Sequence, residues 1–156
     1  MKIYLASPFF DEEQVERVKR VEKALADNPT VTEVFSPRLQ QVEHLEHGSD
    51  EWRDFVYNND IKYIEWCDAV VAVHDYVGEH VDPGTGFEIG YGKALNKFIV
   101  LYQEKDPVTE APVNLMLTDS LDVYIQDIDK LAKYDFNEKK RKRFENYSFA
   151  PIAKEK

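Results

Sequence analysis

Five of the six glycines in this chain, Gly78, Gly84, Gly86, Gly90 and Gly92, fall within fifteen residues. The run Asp82-Pro83-Gly84-Thr85-Gly86-Phe87-Glu88-Ile89-Gly90-Tyr91-Gly92 follows a β-branched segment and opens a helical pattern. Backbone N–H groups at such a helix start face the carboxyl edge of a sheet, where a ligand can approach the backbone closely. No Gly-Lys-Ser/Thr follows and the GxGxxG pattern is absent, which excludes a Walker loop and the dinucleotide fingerprint. What remains is an acid. On this reading Glu88 sits in the first turn of the helix, where the positive dipole end favours the ionised form and lowers its pKa. An ionised carboxylate in a cleft is a competent nucleophile. The plain alternative is that Glu88 only stabilises the helix start.

Two further acids are candidates. Trp52, Val56, Asp60 and Ile64 fall four residues apart, so Asp60 interrupts an apolar stripe and must find either partners or a cleft. Asp82 precedes Glu88 by six residues in an Asp-Pro-Gly segment that is also ordinary turn chemistry. Three acids near one sheet edge match glycosyl transfer, in which one carboxylate attacks the anomeric carbon while another acid protonates the leaving group. Phe9 and Phe10, directly after the first strand, suit stacking on a planar base, although adjacent aromatics also serve as rim packing. His44 and His47 are spaced for two metal ligands, but they lie in a polar loop without an apparent third ligand, so no metal or cofactor is expected.

The elements that must hold these residues alternate. Lys2 to Ala6 reads as a strand buried on both faces, and Asp11 to Ala26 as an amphipathic helix. Val31 to Phe35 is a second strand, followed by a polar loop from Arg38 to Gly48 and a helix capped by Ser49 that ends near Cys67. Ala69 to His74, Phe98 to Tyr102 and Leu121 to Ile125 complete five strands. This order predicts an α/β fold: a five-stranded, mostly parallel sheet with helices on both faces and ligands outside the carboxyl ends of its strands.

The composition agrees with one domain. The chain has 156 residues, 43% of them hydrophobic, and its net charge of −10 repels nucleic acid polymers and anionic membranes. Cys67 is the lone cysteine, which excludes an internal disulfide or a cysteine-based zinc cluster. With no apolar run near 18 residues and no leader pattern, a reducing, cytoplasmic setting is expected. The basic run Lys139 to Arg143 reads as a solvated segment paired with the acidic body or a neighbouring subunit, against a nucleic-acid or localisation reading.

These residues together resemble the nucleoside 2-deoxyribosyltransferases. The resemblance rests on Ile3-Tyr4-Leu5 leading into Phe9-Phe10, Tyr57-Asn58-Asn59-Asp60, the run from Asp82 to Tyr91, and Val113-Asn114-Leu115-Met116. It covers residues 1–137 as a catalytic domain and leaves 138–156 as a basic tail. It implies a flavodoxin-like fold and transfer of a 2-deoxyribosyl group between purine or pyrimidine bases in nucleoside salvage, without cofactor. Glu88 would be the nucleophile of a covalent deoxyribosyl intermediate, with Tyr4 holding its carboxylate. Asp60 would contact sugar hydroxyls or the base edge, and Asp82 would bond the base and assist proton delivery. Phe9 and Phe10 would line the base pocket beside Gly84 and Gly86.

Asn114, with Met116 nearby, resembles the residue that reaches a neighbouring subunit's site, which implies a dimer-based homo-oligomer, typically a hexamer. In some members a terminal carboxylate after a Phe-Asn segment helps form the neighbour's site; here Asp135-Phe136-Asn137 is followed by the basic run, so that feature does not carry over. Gln40 and Gln41 are both candidates for the base edge. Two competing readings stay open: a nucleoside or nucleotide N-glycosidase that passes the intermediate to water, and a non-catalytic nucleotide-binding domain in which Glu88 and Asp60 are structural. Asn114 argues against a monophosphate substrate, since a 5′-phosphate favours small hydroxyl residues or an Arg.

Overall fold

The computed structural model describes residues 1–142; Arg143 and the end of the basic tail lie outside them. Strands β1 (Lys2–Ala6), β2 (Glu33–Phe35), β3 (Ala69–Val73), β4 (Phe98–Tyr102) and β5 (Val123–Ile125) form one sheet in the order β2-β1-β3-β4-β5. Every pairing is parallel, with Ile3 opposite Ala69 and Val71 opposite Val100. β3 (AVVAV) and β4 (FIVLY) are buried at every position, which is why they are uninterrupted apolar runs instead of alternating ones.

Helices cover both faces. Val18, Val21 and Leu25 of α1 (Glu12–Ala26) and Leu131 of α5 (Ile128–Lys133) pack with Ile3, Leu5, Val71 and Val100. On the opposite face, Ile64 of α2 (Asp50–Trp66), Ile89 of α3 (Pro83–Ala94) and Leu117 of α4 (Leu115–Thr118) pack with Tyr4, Val70, Ile99 and Leu101. Gly92 lets α3 lie close on the sheet: a Cβ there would come within 2.8 Å of Val70 Cγ2. Ser49, Asp82, Asn114 and Asp127 each cap a helix through a side-chain oxygen.

From β1 the chain crosses through α1 to β2 on one side, and from β3 through α3 to β4 on the other. The connections diverge between β1 and β3, leaving a crevice at their carboxyl ends. The loop after β1, the single 3₁₀ turn Pro37–Gln40 after β2, and the start of α3 after β3 all open onto it.

Several boundaries differ from the sequence expectation. β2 begins at Glu33 and β5 at Val123, each two residues later than expected. The sequence pattern did not mark α4, between β4 and β5, or α5, after β5; at four and six residues neither carries an apolar stripe long enough to signal itself. Four residues of the basic run are described: Lys140 pairs with Glu138 at 3.2 Å, and Arg141 approaches Asp122 at 3.8 Å and donates to the Asp119 carbonyl at 3.2 Å.

Candidate active site

The crevice is a cavity of about 400 Å³. Ser7, Phe9 and Phe10 wall it from the β1 loop, and Pro37, Gln40 and Gln41 from the turn after β2. Trp52, Phe55, Val56, Asn59 and Asp60 line it from α2, and Asp82, Gly84, Thr85 and Glu88 from α3. Phe9 and Phe10 stack with ring centroids 5.8 Å apart, and His47 leans on Trp52 at 4.4 Å. The walls are thus aromatic and amide-bearing, with three carboxyls at one end.

Glu88 is the sixth residue of α3, because Asp82 caps the helix and Pro83 occupies its first position. The expected first-turn placement, with a pKa lowered by the helix dipole, is therefore corrected. Burial pushes the Glu88 carboxyl up to about 8, and the nearby Asp60 and Asp82 charges add to the rise. The Tyr4 hydroxyl opposes that rise by donating to Glu88 Oε1 at 2.6 Å. Tyr4 is fully buried on β1 and its own ionisation is suppressed, chiefly by burial, so it acts as a hydrogen-bond donor and not as a base. Oε2 of Glu88 accepts no hydrogen bond among the described residues, which leaves one oxygen held and the other free.

Asp60 faces this cavity instead of the core, and burial raises its carboxyl to about 6. Asp82 is buried as a helix cap, with Oδ2 accepting from the Thr85 amide at 2.8 Å. Gly84 leaves room beside it, since a Cβ at position 84 would lie 2.9 Å from Asp82 Oδ2.

Residues 3–116 match the family model described as nucleoside 2-deoxyribosyltransferase. The chain belongs to that family. A nucleoside deoxyribosyltransferase from Limosilactobacillus fermentum is 36% identical over 146 residues, spanning 87% of this chain and 85% of that one. Among solved structures, a 2-deoxyribosyltransferase from the psychrotolerant Bacillus psychrosaccharolyticus shares 41% identity with a TM-score of 0.80, over 92% of this chain and 99% of the other. A 2-deoxyribosyltransferase from Leishmania mexicana shares 25% identity with a TM-score of 0.60, over 81% and 90%.

As a nucleoside 2-deoxyribosyltransferase, the chain is a transferase of the five-stranded parallel α/β type. Of the residues singled out from sequence, Glu88, Asp82, Asp60, Phe9, Phe10 and Gly84 line one cavity and Tyr4 binds Glu88 from beneath it. Gly86 does not line it. Asn114 and Met116 do not line it either: Asn114 caps α4 by accepting from the Met116 amide at 2.9 Å, and Met116 is 74% exposed. Gln40 and Gln41 both reach the cavity, but Gln41 Nε2 is tied to the Pro37 carbonyl at 2.9 Å.

Other cavity-lining positions carried weaker sequence signals. Trp52, Phe55 and Val56 read as a core stripe, yet of α2 only Ile64 is fully buried; these three face the cavity. His47, weighed as a metal ligand, packs on Trp52. Thr85 and Ser7 had no distinguishing pattern. Among the described residues no group of three or more His, Cys, Asp or Glu is arranged to hold a metal, and no helix is long and apolar enough to cross a membrane.

Proposed function

We propose that the chain exchanges one base for another on a 2-deoxyribonucleoside through a covalent deoxyribosyl-Glu88 intermediate, as a step of nucleoside salvage in the cytoplasm. The observation that carries this reading is the Glu88 carboxylate, gripped at Oε1 by Tyr4 at 2.6 Å and free at Oε2 in an aromatic-walled cavity. Oε2 attacks C1′ as the C1′–N bond breaks, with the electron pair passing to the departing base. The Tyr4 hydrogen bond spreads the nucleophile's charge and orients the second oxygen. Asp82 gives a proton to the leaving base, and the incoming base returns one as its nitrogen displaces Glu88. Each step inverts C1′, so the overall configuration is retained.

Phe9, Phe10 and Trp52 supply flat apolar surface for a purine or pyrimidine, Gln40 or Gln41 reads the base edge, and Asp60 engages the sugar hydroxyls or the base. A neighbouring subunit of a dimer-based homo-oligomer, assembled to a hexamer, completes the site with Asn114 and Met116. That reading is supported by the exposure of the large apolar side chains of Met116, Leu115 and Phe87.

The test is chromatography of thymidine and adenine with the purified protein, without phosphate, beside Glu88→Ala. Deoxyadenosine and thymine are expected with the wild type alone. Thymine without deoxyadenosine would mean that water is the acceptor and the chain is an N-glycosidase. No change with thymidine and then with deoxyinosine as donor would overturn the catalytic reading in favour of a binding domain.

A further inference from the structure

We propose that Thr85 is a positioning residue for proton transfer: its hydroxyl and amide together occupy Asp82 Oδ2, so that a proton carried by Asp82 resides on Oδ1, the oxygen left for the base. This rests on the transferase reading above. Thr85 is 1% exposed, and its Oγ1 lies 3.3 Å from Asp82 Oδ2 while its amide nitrogen lies 2.8 Å from the same oxygen. A carboxyl oxygen offers two in-plane lone pairs, and both donors converge on this one. A proton on Oδ2 would lose one of those bonds; a proton on Oδ1 loses none, because Oδ1 accepts no bond among the described residues.

The neighbouring backbone permits this orientation. Gly84 leaves room for Oδ2, which would lie 2.9 Å from a Cβ at that position, and the Thr85 donors hold the oxygen there. The amide bond is an ordinary helix cap and would form with any residue but proline at 85. The hydroxyl is the element peculiar to threonine or serine, and it acts on the reaction through Asp82.

In the first half-reaction the C1′–N bond breaks with its pair going to the base nitrogen, Glu88 Oε2 forms the C1′–O bond, and the Oδ1 proton passes to the base, leaving Asp82 ionised. In the second half-reaction the acceptor base loses its N–H proton to Oδ1 as its nitrogen bonds C1′ and the Glu88 carboxylate departs. Thr85 keeps its own proton throughout.

Thr85→Val removes the hydroxyl but retains the shape and the capping amide, and Thr85→Ser retains both donors. The measurement is single-turnover release of base, enzyme in excess and no acceptor present, from two donors. Deoxyinosine needs a proton to release its base; 7-methyl-2′-deoxyguanosine carries a cationic base that departs without one. Thr85→Val is expected to slow release from deoxyinosine on the order of tenfold, leaving the methylated donor within about twofold of wild type and Thr85→Ser close to wild type on both. Equal rates for Thr85→Val and wild type on deoxyinosine would overturn the proposal, and so would equal losses on both donors, which would mark a merely structural role. Failure of the wild type to release either base would instead overturn the transferase reading beneath it.

Discussion

The central electrostatic fact at Glu88 is that its environment disfavours the charge its proposed role as nucleophile needs. Its carboxyl is raised from an ordinary 4.5 to about 8, first by burial and then by Asp60 and Asp82, with only the Tyr4 hydroxyl pulling the other way. A folded-state pKa above the unfolded value means that the native state binds more protons between pH 4.5 and 8, so stability falls as pH rises through that window. Glu88→Gln keeps the Tyr4 hydrogen bond through its amide oxygen but has no charge to bury. It should be more stable than wild type by about 1–2 kcal/mol at pH 8, the raw linkage being reduced because the cavity admits water, and no more stable at pH 4. Thermal melts at the two pH values check this, and an equal gain at both would show that charge is not the cause. The same field sets the rate profile. A nucleophilic Glu88 must be ionised, so on the proposed mechanism kcat/KM should decline on the acid side of about pH 8. Asp60→Asn removes a negative neighbour and should move that acid limb to lower pH, whatever it does to substrate affinity; an unmoved limb would disconnect Asp60 from Glu88.

At the scale of elements, the buried network at the carboxyl ends of β3 and β4 fixes the frame on which the crevice is built. Arg17, 6% exposed at its side chain, reaches from α1 to Glu104 at 3.1 Å and Asp75 at 3.9 Å. Asp75 is fully buried, accepts from the Glu104 amide at 2.6 Å, and its Oδ1 meets no donor among the described residues. Arg17→Met would strip the charge that balances Asp75 and should cost about 3 kcal/mol, read as a lower urea midpoint, while Arg17→Met/Asp75→Asn should recover part of the loss. If the double variant were no more stable than the single, the Arg17 contribution would be packing alone. Legibility in the sequence divides along the same lines. β1, β3 and β4 were readable because strands covered on both faces are continuous apolar runs, and the order of elements then yields the parallel sheet. Reading Glu88 into the first turn passes over the helix start at Asp82-Pro83, although an aspartate cap and a proline in the first position both mark it. That start puts Glu88 beyond the first turn, and burial, a property of the assembled cavity, decides its ionisation. Nor does helical spacing distinguish core from cavity wall, which is why Trp52, Phe55 and Val56 share a stripe with Ile64 but not its surroundings.

For the whole molecule the division is between the site one chain builds and the part proposed to come from a neighbour. A single chain brings together Glu88, the proposed nucleophile, with Tyr4, both aspartates and the aromatic walls, while Asn114 and Met116 stand outside the cavity on an exposed surface. The family resemblance gives those two residues work in a neighbour's site, and a shared site has a consequence that no property of an isolated chain can imitate. Glu88→Ala and Asn114→Ala should each be nearly inactive as pure homo-oligomers, because every site then lacks one component. Mixed in equal amounts and allowed to exchange subunits, about half of the dimers become hybrids. In each hybrid one site carries both defects and the other carries neither, so about one quarter of wild-type activity should return. Activity after mixing, with a size measurement on the same sample to establish exchange, tests this directly. If subunits exchange and activity stays at the level of the two parents, each chain must complete its own cavity, and the exposed Asn114 side chain would have only its helix cap to account for it.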